Sequence, residues 1–133
     1  MSKIISLYNA GLVNNISIVT GQASNVVVVD IDVPALSWWT ELLRVNPPIP
    51  ETFIVKTPSG GYHYYFRYIP GLNNMNQILG QSIDFRTDGG QAIFPGSTGY
   101  AVAAGYQDGR PIIAEMPSWL LQLLQYNQNI YRA

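Results

Sequence analysis

Val26-Val27-Val28-Val29-Asp30-Ile31-Asp32-Val33-Pro34 is the stretch on which the reading of the fold turns. Four consecutive valines, with Ile31 just beyond Asp30, match a strand buried on both faces, in an interior sheet position, rather than a half-exposed strand with strict alternation. The run then ends in two carboxylates separated by one residue. Residues two apart in a strand point to the same side, so Asp30 and Asp32 project from one face with Ile31 opposite. Two anions that close repel unless a cation lies between them, and burying either without a partner is costly. Two readings of the pair stand at this point. One is a strand end with solvated acids, Asp32 capping the next helix; the other is a ligand pair for a hard divalent ion such as magnesium or manganese.

The chain of 133 residues is read as a single domain over residues 1–133, with 47% apolar, 12% aromatic and only 11% charged residues. With no cysteine and one histidine, neither a disulfide framework nor a Cys/His zinc site can be built. A bound metal must be held mainly by oxygen. The start, MSKIISLYNAGL, lacks a signal-peptide pattern and no window reaches membrane-span length, so a cytoplasmic protein with no membrane partner is expected. A net charge of −1 is a poor composition for holding nucleic acid tightly by phosphate neutralisation alone, so any contact with DNA or RNA is expected to be local or shared with a partner. A P-loop needs G-x-x-x-x-G-K-[ST] and a two-histidine nickase needs paired histidines; the sequence offers neither.

Around the central strand, the pattern predicts a short helix over residues 3–12 and a strand over 16–20. Leu36, Trp39, Leu42 and Leu43 give a helical stripe that starts at Pro34 and is broken by Asn46-Pro-Pro-Ile-Pro50. Residues 52–56 and 62–68 read as a hairpin around Thr57-Pro-Ser-Gly-Gly61, and residues 69–82 as a loop with a short helix. Residues 83–87 and 91–94 read as a second hairpin around Asp88-Gly-Gly90. Weaker strands are expected over 99–104 and 111–114, and a closing helix over 117–126.

Asp84 and Arg86 share a strand face, with Ile83 and Phe85 on the other. They form either a surface ion pair or the third acid of a cluster able to hold two metals about 3.5–4 Å apart, the arrangement used for nucleotidyl transfer. His63 follows the Gly-Gly turn, with Arg67 on its face. It is either a packed histidine or, with the backbone amides of Ser59, Gly60 and Gly61 as an anion nest, a phosphate-binding group. Lys56 is a strand-end lysine or a further phosphate ligand.

Taken in order, "VVVVDID", "VKTPSGGYHYYF" and "IDFRTDGGQAIFPGSTGY" resemble the bifunctional primase-polymerase (prim-pol) domain of the archaeo-eukaryotic primase superfamily, from about Ile16 to the C-terminal helix. Gly61-Tyr62-His63 matches the Gly-Gly-x-His form of that branch rather than the superfamily's usual Ser-x-His. The resemblance implies an α+β fold, a compact version with an RRM-like palm sheet and a small α/β element. It implies a template-directed nucleotidyl transferase, a DNA primase/polymerase in the replication of a virus, plasmid or other mobile element. Asp30, Asp32 and Asp84 would bind two Mg2+ or Mn2+ ions, and His63 the incoming triphosphate. Ser59, Gly60 and Gly61 would form the nucleotide-side turn, Lys56 would assist, and Arg86 and Ser97 would lie near phosphates or template. The implied partners are nucleoside triphosphates, single-stranded or primer-template DNA, and a replicative helicase in trans. The alternative is a catalytically idle or accessory module that binds nucleotide or stacks single-stranded bases on Tyr62, Tyr64, Phe66 and Tyr68.

Overall fold

The computed structural model describes residues 17–93, 95 and 98–130. The helix expected over residues 3–12 and the candidate Ser97 lie outside the described residues. In chain order the elements are β1 (Ser17–Val19), β2 (Val26–Ile31), α1 (Leu36–Val45), β3 (Ile54–Lys56), β4 (Tyr62–Arg67), β5 (Ile83–Arg86), β6 (Gln91–Ile93), β7 (Ala101–Ala104), β8 (Tyr106–Gln107), β9 (Arg110–Pro111) and α2 (Ser118–Ile130). Single 3-10 turns occupy Val33–Ala35 and Ile78–Gly80. Among the described residues this is a mixed α/β arrangement of antiparallel sheets and two helices. No helix among the described residues is long and apolar enough to cross a membrane.

The main sheet has the order β5-β2-β4-β3-β7, with every pairing antiparallel. Every residue of β2 is buried, and its alternation divides two cores. Val27, Val29 and Ile31 meet Trp39 of α1, Leu120 and Leu124 of α2, Phe66 and Phe85. Val26 and Val28 meet Ile18, Phe53, Val55, Tyr65 and Ala92 on the other face. That second face is covered by a two-stranded ribbon of β1 and β6, which supplies Ile18 and Ala92. A strand with packed neighbours on both faces needs apolar residues at every position, which accounts for the valine run.

The helical stripe of α1 enters the core as expected, with Trp39 edge-on to Tyr64 at 5.2 Å and 67°. Pro34 sits in the 3-10 turn that leads into the helix. Asp32 occupies the cap position, but its side chain makes no capping hydrogen bond, so the capping role is not realised. The C-terminal helix runs beyond Tyr126 to Ile130. Its extra turn places buried Asn127 beneath residues 75–79, where Oδ1 accepts from the Leu79 amide at 2.9 Å and Nδ2 faces Met75 Sδ at 3.3 Å.

Three expectations require correction. Residues 83–86 and 91–93 are strands but not a hairpin, because β5 pairs with β2 and β6 with β1. Of the two central turn residues, only Gly89 has a positive φ (+75°), whereas the tight two-residue hairpin turns need a positive φ at the first. The strands therefore diverge, and Asp88 secures the turn by accepting from the Gln22 amide and the Tyr68 hydroxyl, both at 2.9 Å. The strand expected over 111–114 is reduced to β9 and a single bridge from Ala114 to Phe66. Finally, Tyr64, Phe66 and Tyr68 belong to the core beneath the helices, so that face is not an open stacking surface.

Candidate functional site

Three adjacent strands deliver the site. The register opposes Asp30 to His63 on β4 and to Asp84 on β5, which makes a cross-strand row His63, Asp30, Asp84. One rung back, Val28 lies between Tyr65 and Arg86 on the same face. Asp32 continues the Asp30 face just past the strand end, exposed, with its amide donating to Ser82 O at 3.0 Å. Because β2 is clamped in the core on both sides, the backbone bearing Asp30 is held rigidly while its carboxylate reaches the sheet's end.

Asp30 is 8% exposed and His63 7%. His63 Nε2 lies 3.4 Å from Asp30 Oδ1, a contact outside hydrogen-bond geometry, so Asp30 Oδ1 is buried without a donor among the described residues. His63 Nδ1 is likewise buried without a partner among the described residues. On the other side, Arg86 Nη2 donates to Asp30 Oδ2 at 3.1 Å and lies 3.7 Å from Asp84 Oδ2. Asp84 Oδ1 accepts from the Gln77 amide at 3.0 Å. Burial pushes the Asp30 carboxyl up, but His63 and Arg86 together outweigh it and hold the group below its ordinary value. Asp32 moves the opposite way, raised first by desolvation and then by the negative charges of Asp30 and Asp84.

The Thr57–Gly61 turn closes the β3–β4 hairpin as expected, but it is not an anion nest. The Gly60 amide donates to Thr57 O at 3.0 Å and the Gly61 amide to Thr57 Oγ1 at 3.1 Å, so both are committed inside the turn. The role of Gly61 is steric. A Cβ there would collide with Ile31 O, so only glycine lets the turn lie against the Ile31–Asp32 backbone. Ser59 is exposed, with its hydroxyl 3.2 Å from that of Thr57. Lys56 pairs with Tyr62, which puts it on the face opposite Asp30 and His63. The structure therefore brings together Asp30, His63, Asp84 and Arg86, sets Asp32 beside them, and leaves Lys56 apart.

Two neighbours escaped sequence reasoning. The Tyr100 ring lies 6.1 Å from that of His63, and the Gln77 amide orients Asp84. A backbone amide carries no sequence mark, and Tyr100 follows a glycine-rich loop with no periodic pattern.

Among the described residues, no three His, Asp or Glu side chains are gathered closely enough to hold a metal ion as they stand. The donor set still fits a hard divalent cation in its chemistry: carboxylates on neighbouring strands, one with a buried oxygen lacking any donor, and a third acid that feels both other charges. What lies between Asp30 and Asp84 is the Arg86 guanidinium.

A row of two acids and a histidine thus stands at the end of a buried antiparallel strand, with a third acid two residues on. The family model of the bifunctional DNA primase/polymerase N-terminal domain, Prim-Pol, matches residues 7–119, and the chain belongs to that family. At family level the chemistry is nucleotidyl transfer of the primase/polymerase type. No curated protein matches the sequence.

Proposed function

We propose that the chain carries out metal-dependent, template-directed nucleotidyl transfer, in which a 3′-hydroxyl oxygen bonds to the α-phosphorus of a nucleoside triphosphate and pyrophosphate leaves. The observation that carries this reading is the single row His63, Asp30, Asp84 with Asp32 at its open end. Asp30, Asp32 and Asp84 would hold Mg2+ or Mn2+. When bound, the ions supply a lowered pKa for the attacking hydroxyl and charge neutralisation for the leaving pyrophosphate. His63 would turn toward the triphosphate, bringing Nδ1, which is buried and without a partner among the described residues, to a phosphate oxygen. Arg86 adds positive charge on the same face, whereas Lys56 is on the wrong side of the sheet to contribute.

The test is extension of a labelled primer on a DNA template with Mn2+ or Mg2+. Incorporation by the wild-type chain should fall to background in the D30A/D32A double variant. Unchanged incorporation would overturn the assignment of the acids. A second reading, a module that binds nucleotide without polymerising, is favoured by one observation, the Arg86 guanidinium already partnering Asp30 and Asp84. Calorimetry showing metal-dependent triphosphate binding by a chain that incorporates nothing would establish that reading instead.

A further inference from the structure

We infer that Arg86 is the resident counter-cation of the acidic site and that a divalent ion enters by displacing its guanidinium from between Asp30 and Asp84. The inference rests on reading those acids as ion ligands. Asp30 and Asp84 are directly opposed across β2 and β5, a placement in which like charges destabilise the pairing unless compensated. The compensation is Arg86, 3.1 Å from one carboxylate and 3.7 Å from the other.

Three properties make this cation displaceable. A guanidinium does not lose its proton in a protein, so its charge leaves the site only by movement. Its hold is a single hydrogen bond from one nitrogen to Asp30, not the bidentate clamp that makes arginine–carboxylate pairs strong. Its side chain is 36% exposed, so a route to water is open. On the far side of Asp30, Oδ1 faces His63 Nε2 at 3.4 Å but accepts no hydrogen bond among the described residues, so the carboxylate keeps coordinating capacity that Arg86 does not use. Ion and guanidinium compete for the same charge, so Arg86 weakens ion binding in the resting protein. Once released, it stands on the face of His63 as a free positive group.

Mn2+ binding to the full chain, followed by loss of the free-ion paramagnetic resonance signal, tests this without any turnover. Arg86→Gln should bind Mn2+ roughly tenfold or more tightly than wild type, while Arg86→Lys, which keeps a cation, should stay close to it. Thermal unfolding adds a second reading: in chelator R86Q should melt below wild type, and Mn2+ should raise its midpoint by more. A third measurement needs only the wild-type chain. Its arginine Nε–H resonance assigned to Arg86 should shift and exchange faster with water on saturation with Mg2+. Equal Mn2+ affinity in wild type and R86Q, or an unmoved Arg86 resonance in a chain that binds Mg2+, overturns the displacement and leaves the acids as ligands. No saturable binding by wild type or R86Q overturns both.

Discussion

Asp30 is contacted by His63 and Arg86, while Asp32 makes no capping bond and faces the charge of two other acids, and the two carboxyls are displaced in opposite directions. The linkage follows from the signs. A carboxyl held below its unfolded value of about 3.9 stabilises the fold above that pH, and the contribution disappears as pH falls through the depressed value. A raised carboxyl costs stability above its shifted value and ceases to do so on acidification. In chelator at neutral pH, Asp30→Asn should therefore lower stability by about 1–2 kcal/mol, a value discounted because Arg86 is partly exposed. Asp32→Asn should raise stability by about 0.5 kcal/mol or less, because Asp32 is well solvated. In denaturant titrations the D32N difference should vanish below the ordinary carboxyl value of about 3.9, whereas the D30N difference should persist there and be lost only as pH falls through the depressed value. If both acids are ligands, both substitutions abolish incorporation, so D32N would be the more stable and the inactive protein, the signature of a residue retained for function. Of this site, the same-face placement of Asp30 and Asp32 was legible from strand periodicity alone; their opposite electrostatics was not, because it depends on Arg86 reaching across from another strand.

The Gly60-Gly61 pair shows what an element asks of its residues beyond a turn signal. Gly60 has φ +97° with open space around it, since the nearest atom to a Cβ there is Val33 Cγ2 at 3.6 Å. Gly61 has no such φ, yet a Cβ there meets the backbone carbonyl of Ile31. Gly60→Ala should thus cost the backbone strain alone, about 1–2 kcal/mol. Gly61→Ala must move β4 away from the end of β2 and should cost more, about 2–3 kcal/mol, with loss of metal or triphosphate binding even where it folds. Urea midpoints that rank the two the other way would refute this account of the turn. Alternation alone made this hairpin and the strand character of 83–86 and 91–93 legible. The partners of β5 and β6 were not, because the Asp88-Gly89 turn leads them apart and the residues that pair with them lie far away in sequence. The last turn of α2 was missed for a related reason: Asn127 continues the spacing of Leu120 and Leu124, but as a buried amide serving Leu79 and Met75 rather than as an apolar residue.

At the scale of the molecule, one strand separates two cores: helices and 3-10 turn on one face, the β1–β6 ribbon on the other. The order of the three sequence motifs was legible, and so was burial of the valine run on both faces. That the motifs fall on strands that are neighbours in the sheet, β4-β2-β5, follows only from the pairing. The same architecture fixes where the chain should open last. Backbone amides open with free energies that depend on how many packed contacts each segment must lose. Those of Val28–Ile31, flanked by paired strands on both sides and packed in the sheet interior, can exchange only through global unfolding. Amides of β7, an edge strand exposed along its whole length, and of the β8–β9 hairpin should exchange through local opening. In native-state hydrogen exchange the β2 amides should report one common free energy that rises linearly with falling denaturant, while those of β7 to β9 stay low and insensitive to it. Since Asp30 lies within the slowest segment, the metal-free site persists until the fold itself is lost. Early exchange of β2 relative to β7 would show instead that the acids are carried on a locally mobile strand.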